Sequence, residues 1–170
     1  MRRLLAVVGV AAVMLGSPAA ADAQSEFTSF LNGASEVPAN AEIGFGTATF
    51  DLEFSGSVVG LVYELSVFNV TQAFMAHIHC GAAGVNGPVV AWLAGPPAAP
   101  PTAGYSLNGI WTRAKMTEAN IIPGTACGDT LLDVILAMLE GRTYVNVHTR
   151  PLPGGVIRGQ ILAVAPFTVP

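Results

Sequence analysis

Residues 47 to 54 alternate without a break. Ala48, Phe50, Leu52 and Phe54 fall on one side of an extended chain, and Thr47, Thr49, Asp51 and Glu53 on the other. A period of two is the mark of a strand buried on one face, which needs neighbouring strands and an apolar layer to cover. The rest of the chain supplies both. Ser55-Gly56-Ser57 reads as a turn, and residues 58 to 70, rich in Val, Leu, Tyr and Phe, read as the return strand of a hairpin. Further strands are expected at 27–31, 73–79, 89–93, 105–115, 143–149 and 156–164. With 19 Gly and 12 Pro, the chain is punctuated as short strands and turns are, not as a helical bundle. Prolines 96, 97, 100 and 101 make the stretch from 95 to 104 a loop that cannot pair as a central strand. One helix is expected, from 129 to 140, with Asp129 as its cap, a broad Leu/Ile/Met face and Gly141 just past its end. The expected fold class is therefore all-β: an antiparallel β-sandwich of about eight strands with one covering helix.

The first 23 residues read as a secretory signal peptide, with Arg2 and Arg3 before an apolar stretch from Leu4 to Leu15. Small residues then allow cleavage after Ala21 or after Ala23. That stretch falls short of the ~20 residues a membrane span needs, and no later segment reaches that length without polar residues, Gly or Pro. The expectation is a leader at 1–23, one domain at 24–170, no transmembrane segment after cleavage, and a secreted or periplasmic location. Seven Lys+Arg and a net charge of −4 exclude a nucleic-acid binder.

Export changes how the two cysteines, Cys80 and Cys127, read. An even count in an oxidising compartment points to one disulfide; the competing reading makes Cys80, beside His79, a metal-ligating thiolate.

All three histidines lie in two similar segments, Ala76-His77-Ile78-His79 and Val145-Asn146-Val147-His148, each followed by a Gly/Pro turn and an apolar strand. His77 and His79 sit at i and i+2, so both rings leave one face, with Met75; His148 shares its face with Tyr144 and Asn146. If the two strands are neighbours, three imidazoles converge. Imidazole suits copper or zinc, and three ligands with a fourth position open is a catalytic metal arrangement. Ring nitrogens within about 4–5 Å of one another would mark such a site. The competing reading has these rings hydrogen-bonding turn backbones inside a polar pocket. Arg158, flanked by apolar strand residues, is costly to bury without acceptors and is expected to pair a carboxylate such as Glu36. Glu36, Asn146 and Arg158 thus form an expected structural pocket. No nucleophile elbow, P-loop, dinucleotide fingerprint or acid/base pair is present, so catalytic residues are not assigned. Asn69-Val70-Thr71 matches a glycosylation acceptor.

Four ordered segments resemble the chordin-type CHRD domain: Leu31-Asn32-Gly33-Ala34-Ser35-Glu36-Val37-Pro38; Ala76-His77-Ile78-His79-Cys80-Gly81 with Asn86-Gly87-Pro88-Val89-Val90; Gly141-Arg142-Thr143-Tyr144-Val145-Asn146-Val147-His148-Thr149; and Gly155-Val156-Ile157-Arg158-Gly159-Gln160-Ile161. The resemblance covers about 27–163. Ala39 stands where a second proline is common, and Val156 where glutamate often precedes Ile-Arg-Gly, so no charge pairing is carried over to position 156. The resemblance implies a secreted or surface-exposed β-sandwich, immunoglobulin-like in outline. His-x-His on a strand is also similar to the copper strand of copper/zinc superoxide dismutases, but three histidines are too few for a bimetallic site. The resulting expectation is an exported, non-enzymatic CHRD-like binding or structural module for a protein, surface polymer or small ligand. Its alternative is a copper- or zinc-binding protein, redox-active in one form, that uses His77, His79 and His148.

Overall fold

The structure is a computed structural model that describes residues 26–55, 58–95 and 102–164. The expected leader, and most of the proline-rich loop, lie outside the described residues. In chain order the elements are β1 (Phe27–Asn32), β2 (Phe45–Ser55), β3 (Val58–Cys80), β4 (Val89–Ala94), β5 (Tyr105–Met116), α1 (Leu131–Leu139), β6 (Thr143–Thr149), β7 (Ile157–Gln160) and β8 (Leu162–Ala163), with short 3-10 turns at Gly33–Ser35 and Glu118–Asn120.

Hydrogen bonding runs β2-β1-β7-β6-β3, and β3 also pairs β2, so five strands close on themselves as a barrel. β4 and β5 flank β3, and β8 continues β7 along β1. The fold is all-β, as expected, but not clearly an immunoglobulin-like sandwich. A sandwich keeps two sheets with free edges, whereas the antiparallel register from Phe45↔Phe68 to Ser55↔Val58 ties the first and last strands of the ring together.

The closure depends on β3, where the sequence implied two strands and the structure has one. Its first part pairs β2 and β5; its last part pairs β4 and β6. Leu61, Tyr63, Leu65 and Val67 turn inward at the regular spacing of two, and then the buried positions step by three: Val70, Ala73, Ala76. Register shifts lie in this bend, and Asn69 and Gln72 take left-handed backbone there, with φ of 55° and 57°. Each bulge adds one residue to the strand and changes which residues face the core. Ala76, Ile78 and Cys80 therefore continue the inner face, while His77 and His79 come out on the other side.

The core gathers Phe27, Leu31, Phe50, Leu65, Ile78 and Ile157 among many others. The helix covers one end with Leu131, Val134, Ile135, Ala137 and Met138. Its N-cap is Thr130, not Asp129. The Thr130 hydroxyl accepts from the Asp133 N–H and the Asp133 carboxylate accepts from the Thr130 N–H, a reciprocal box that an Asp one residue earlier cannot close. Gly141, with φ of 66°, ends the helix as the sequence implies. Among the described residues no helix is long and apolar enough to cross a membrane.

Candidate functional site

The outer face of the barrel's second half is unusual in being buried. β6 is covered on both sides: Val145 and Val147 face the core, while Tyr144, Asn146 and His148 face a layer of loops. Register fixes who meets whom on that face. His77 stands opposite Asn146, His79 opposite Tyr144, and Met75 opposite His148; on the far side Asn146 stands opposite Arg158 and Tyr144 opposite Gln160. Trp92 of β4 lies opposite His77, and its ring meets the imidazole edge-on at 4.1 Å between centroids.

Three loops form the roof, and side chains from the face clamp each of them. Arg158 holds two at once. Its Nε donates to Glu36 Oε2 at 3.0 Å, its Nη2 to Asn86 Oδ1 at 2.6 Å, and its Nη1 to the Val85 carbonyl at 3.4 Å. The guanidinium also lies 4.3 Å over the Tyr144 ring. Asn86 in turn donates to the Val37 carbonyl at 3.1 Å. The expected ion pair thus forms, and Glu36 is not the solvated loop carboxylate it could have been: both partners are almost wholly buried. Burial pushes the Glu36 carboxyl above its ordinary value, against the pull of Arg158.

The three imidazoles come together because β3 and β6 are neighbours. They are buried, one ligand nitrogen from each lies within 4.8 Å of the others, and His77 Nδ1 is 3.1 Å from His148 Nε2. The turn backbones set the tautomers. A carbonyl only accepts, so His79 Nδ1 donates to Gly87 O at 2.9 Å and His148 Nδ1 donates to Pro153 O at 3.0 Å. Each ring therefore turns a bare Nε2 inward. His79 stacks on Tyr144 at 4.9 Å, which fixes its plane. Both Nε2 atoms of His77 and His79 are buried without a hydrogen-bond partner, as are Asn146 Oδ1 and Glu36 Oε1. Burial holds all three rings neutral: it lowers His77 to about 3, with His148 and His79 adding to the effect, and His148 to about 4. His79 is lowered by the same cause, with the Gly87 carbonyl opposing.

Cys80 points away from the imidazoles and lies at disulfide distance from Cys127, with Cα atoms 5.7 Å apart. No cysteine among the described residues is free. An open cavity of about 380 Å³ lies beside His79, which lines it with Asn146, Tyr144, Glu36 and Arg158 among others. The sequence reading did not give Trp92, Asn86 or Gly87 a place here. The Asn-Gly pair carried a turn signal, but nothing in the sequence aligns Trp92 with His77 until the register is known.

No curated protein and no solved structure matches the chain. A family model does match: the CHRD domain, over residues 27–161, a span that contains all three histidines, the cysteine pair and the Glu36–Arg158 clamp. The chain belongs to the CHRD domain family.

Proposed function

We propose that this CHRD domain is an exported module that binds one copper or zinc ion through His77, His79 and His148. The observation that carries the reading is the state of the ring nitrogens. Two imidazoles donate their Nδ1 protons to fixed carbonyls and so present Nε2 lone pairs inward, the outer hydrogen bonding that orients metal-ligating histidines. The buried, unpartnered Nε2 of His79 costs free energy unless something takes its lone pair. His77 Nδ1 and His148 Nε2 already stand 3.1 Å apart, close to the separation of about 3.4 Å between two ligands of one tetrahedral ion. The widest pair of the cluster is at 4.8 Å, so loading draws one ring inward by about an ångström. The donor set consists of neutral nitrogens with no thiolate, which suits copper or zinc over calcium or magnesium. The cysteine pair at disulfide distance supports an oxidising location outside the cytosol.

The test is metal analysis of the chain purified under metal-replete conditions, with calorimetric titration of Cu(II), Cu(I) under reducing anaerobic conditions, and Zn(II). One equivalent of copper or zinc is expected in the wild type, and loss of at least tenfold in affinity in His79→Ala, the scale typical of disturbing a metal's ligand shell. No stoichiometric metal under any of these conditions would end the reading. It would leave the competing one, a binding or structural module in which the same two Nδ1 bonds serve only to pin the roof loops.

A further inference from the structure

We infer that the cavity lined by His79, Asn146 and Glu36 is a binding site for small neutral ligands that offer a lone pair with an N–H or O–H next to it, such as water, a primary amine or an imidazole. Asn146 is the residue that selects them. The inference rests on the proposed metal site and adds to it a specific exogenous ligand class.

Asn146 occupies the centre of the buried face. It stands across from His77, two residues along from His148 and diagonal to His79. It is 1 % exposed. Its Nδ2 is turned toward the Gly154 carbonyl at 3.5 Å, which leaves Oδ1 with no partner. Glu36 repeats the pattern. One oxygen is taken by Arg158, and the other, Oε1, is buried without a partner.

The two free oxygens converge. A Cβ added at Gly155 would lie 2.5 Å from Glu36 Oε1, 2.6 Å from Asn146 Oδ1 and 2.7 Å from Asn146 Nδ2, so both free oxygens border the same point above that glycine, with the amide nitrogen beside them. Gly155 has φ of 139°, and only a residue without a Cβ fits so close to these polar atoms.

This wall therefore offers two unpartnered acceptors beside one amide nitrogen. The neighbouring guanidinium does not compensate, because Arg158 directs Nε, Nη1 and Nη2 to Glu36, Val85 and Asn86. His79, one of the three proposed ligands, lines the same cavity as Asn146 and Glu36. Three protein ligands leave a fourth position for an exogenous one. A ligand there can turn its lone pair to the ion and its N–H or O–H to Asn146 and Glu36. A ligand with acceptors alone, such as azide, leaves those two oxygens unpaired. Sites built to receive a hydrogen bond reject analogues that lack the donor.

The probes are imidazole and 1-methylimidazole, which present the same lone pair to an ion and differ in one N–H. Each is titrated optically into the Cu(II)-loaded chain and into the Co(II)-loaded chain, Co(II) reporting on a zinc-type site. Imidazole is expected to bind about tenfold more tightly than its methylated analogue, the worth of one hydrogen bond to a buried acceptor. Azide is expected to bind more weakly than imidazole. Asn146→Leu is expected to erase the imidazole preference, and Asn146→Asp, which keeps an acceptor, to retain it. Equal affinity for the two imidazoles in the wild type overturns the inference without any variant. Failure to load either metal removes the metal site and this inference together, whereas stoichiometric loading without discrimination removes only the ligand assignment.

Discussion

The Glu36–Arg158 pair gives a sharp test of how the roof is held. Each partner is at most 5 % exposed, and Arg158 has no water to fall back on if its counter-charge goes. Breaking one side of a buried ion pair costs about 3–5 kcal/mol because the remaining charge is left uncompensated. Glu36→Gln keeps the shape and an acceptor oxygen for Nε but removes the charge, so a loss of about 3 kcal/mol is expected, at the low end of that range. Arg158→Met also breaks the ties to Asn86 and Val85 and strands the carboxylate, for about 4–5 kcal/mol. The two losses differ in their response to acid. Burial already raises the Glu36 carboxyl, so it takes up a proton once Arg158 is gone; the Arg158→Met loss shrinks as pH falls, and the Glu36→Gln loss does not. The double variant should cost less than the sum of the singles by about 2 kcal/mol, since no charge is then left alone. Urea denaturation of the four proteins at two pH values measures all of this, against a total stability of about 5–15 kcal/mol for a domain of this kind. A Glu36→Gln cost below about 1 kcal/mol, or strict additivity in the double variant, would show that the pair is solvated and that the reasoning is wrong.

Acid should weaken the metal-free chain, prepared with a chelator, by way of its histidines. His77 and His148 titrate near 3 and 4 in the fold against an ordinary value of 6.5, so the unfolded chain takes protons first. The stability they give is whole above about pH 6.5 and is lost as pH falls toward the folded values, by about 2 kcal/mol per ring at pH 5. A urea midpoint that stays constant from pH 7.5 to 5 would refute this. Replacing both cysteines with serine opens a cross-link between positions 47 residues apart. That should cost about 4 kcal/mol on the chain-entropy estimate, read as a lower melting temperature, and a change under about 1 kcal/mol would mean the loop is restrained by other contacts.

Most of the site was legible because its signals are local. The i, i+2 spacing of His77 and His79 fixes a shared face whatever the sheet does, and a single arginine between apolar strand residues must find a carboxylate. The closed ring was not legible, since it depends on the pairing of β2 with the first half of β3, a matter of register and not of composition. Nor was the continuity of β3. The bend is made by Asn69 and Gln72 in left-handed backbone, with no glycine or proline to announce it, and the segment reads as two strands with a gap. The helix cap was off by one because Asp129 and Thr130 are both good capping types, and only the Asp133 N–H donating to the Thr130 hydroxyl decides between them. The buried acceptors of Asn146 and Glu36 depend on where Gly155 passes, and the chain alone does not reveal that.

The bend in β3 makes the count of residues between Val67 and Ala76 a parity setting. Nine steps of strict alternation from Val67 would put Ala76 on the outer face and turn His77 and His79 toward the apolar lumen, with Ile78 out beneath the roof; the three steps of three, at Val70, Ala73 and Ala76, reverse that outcome. Point substitutions along this stretch leave the count unchanged, whereas an insertion or deletion of one exchanges the two surfaces unless a bulge is gained or lost with it. Natural variation in length is accordingly expected in the loops and not in this stretch of nine peptide steps.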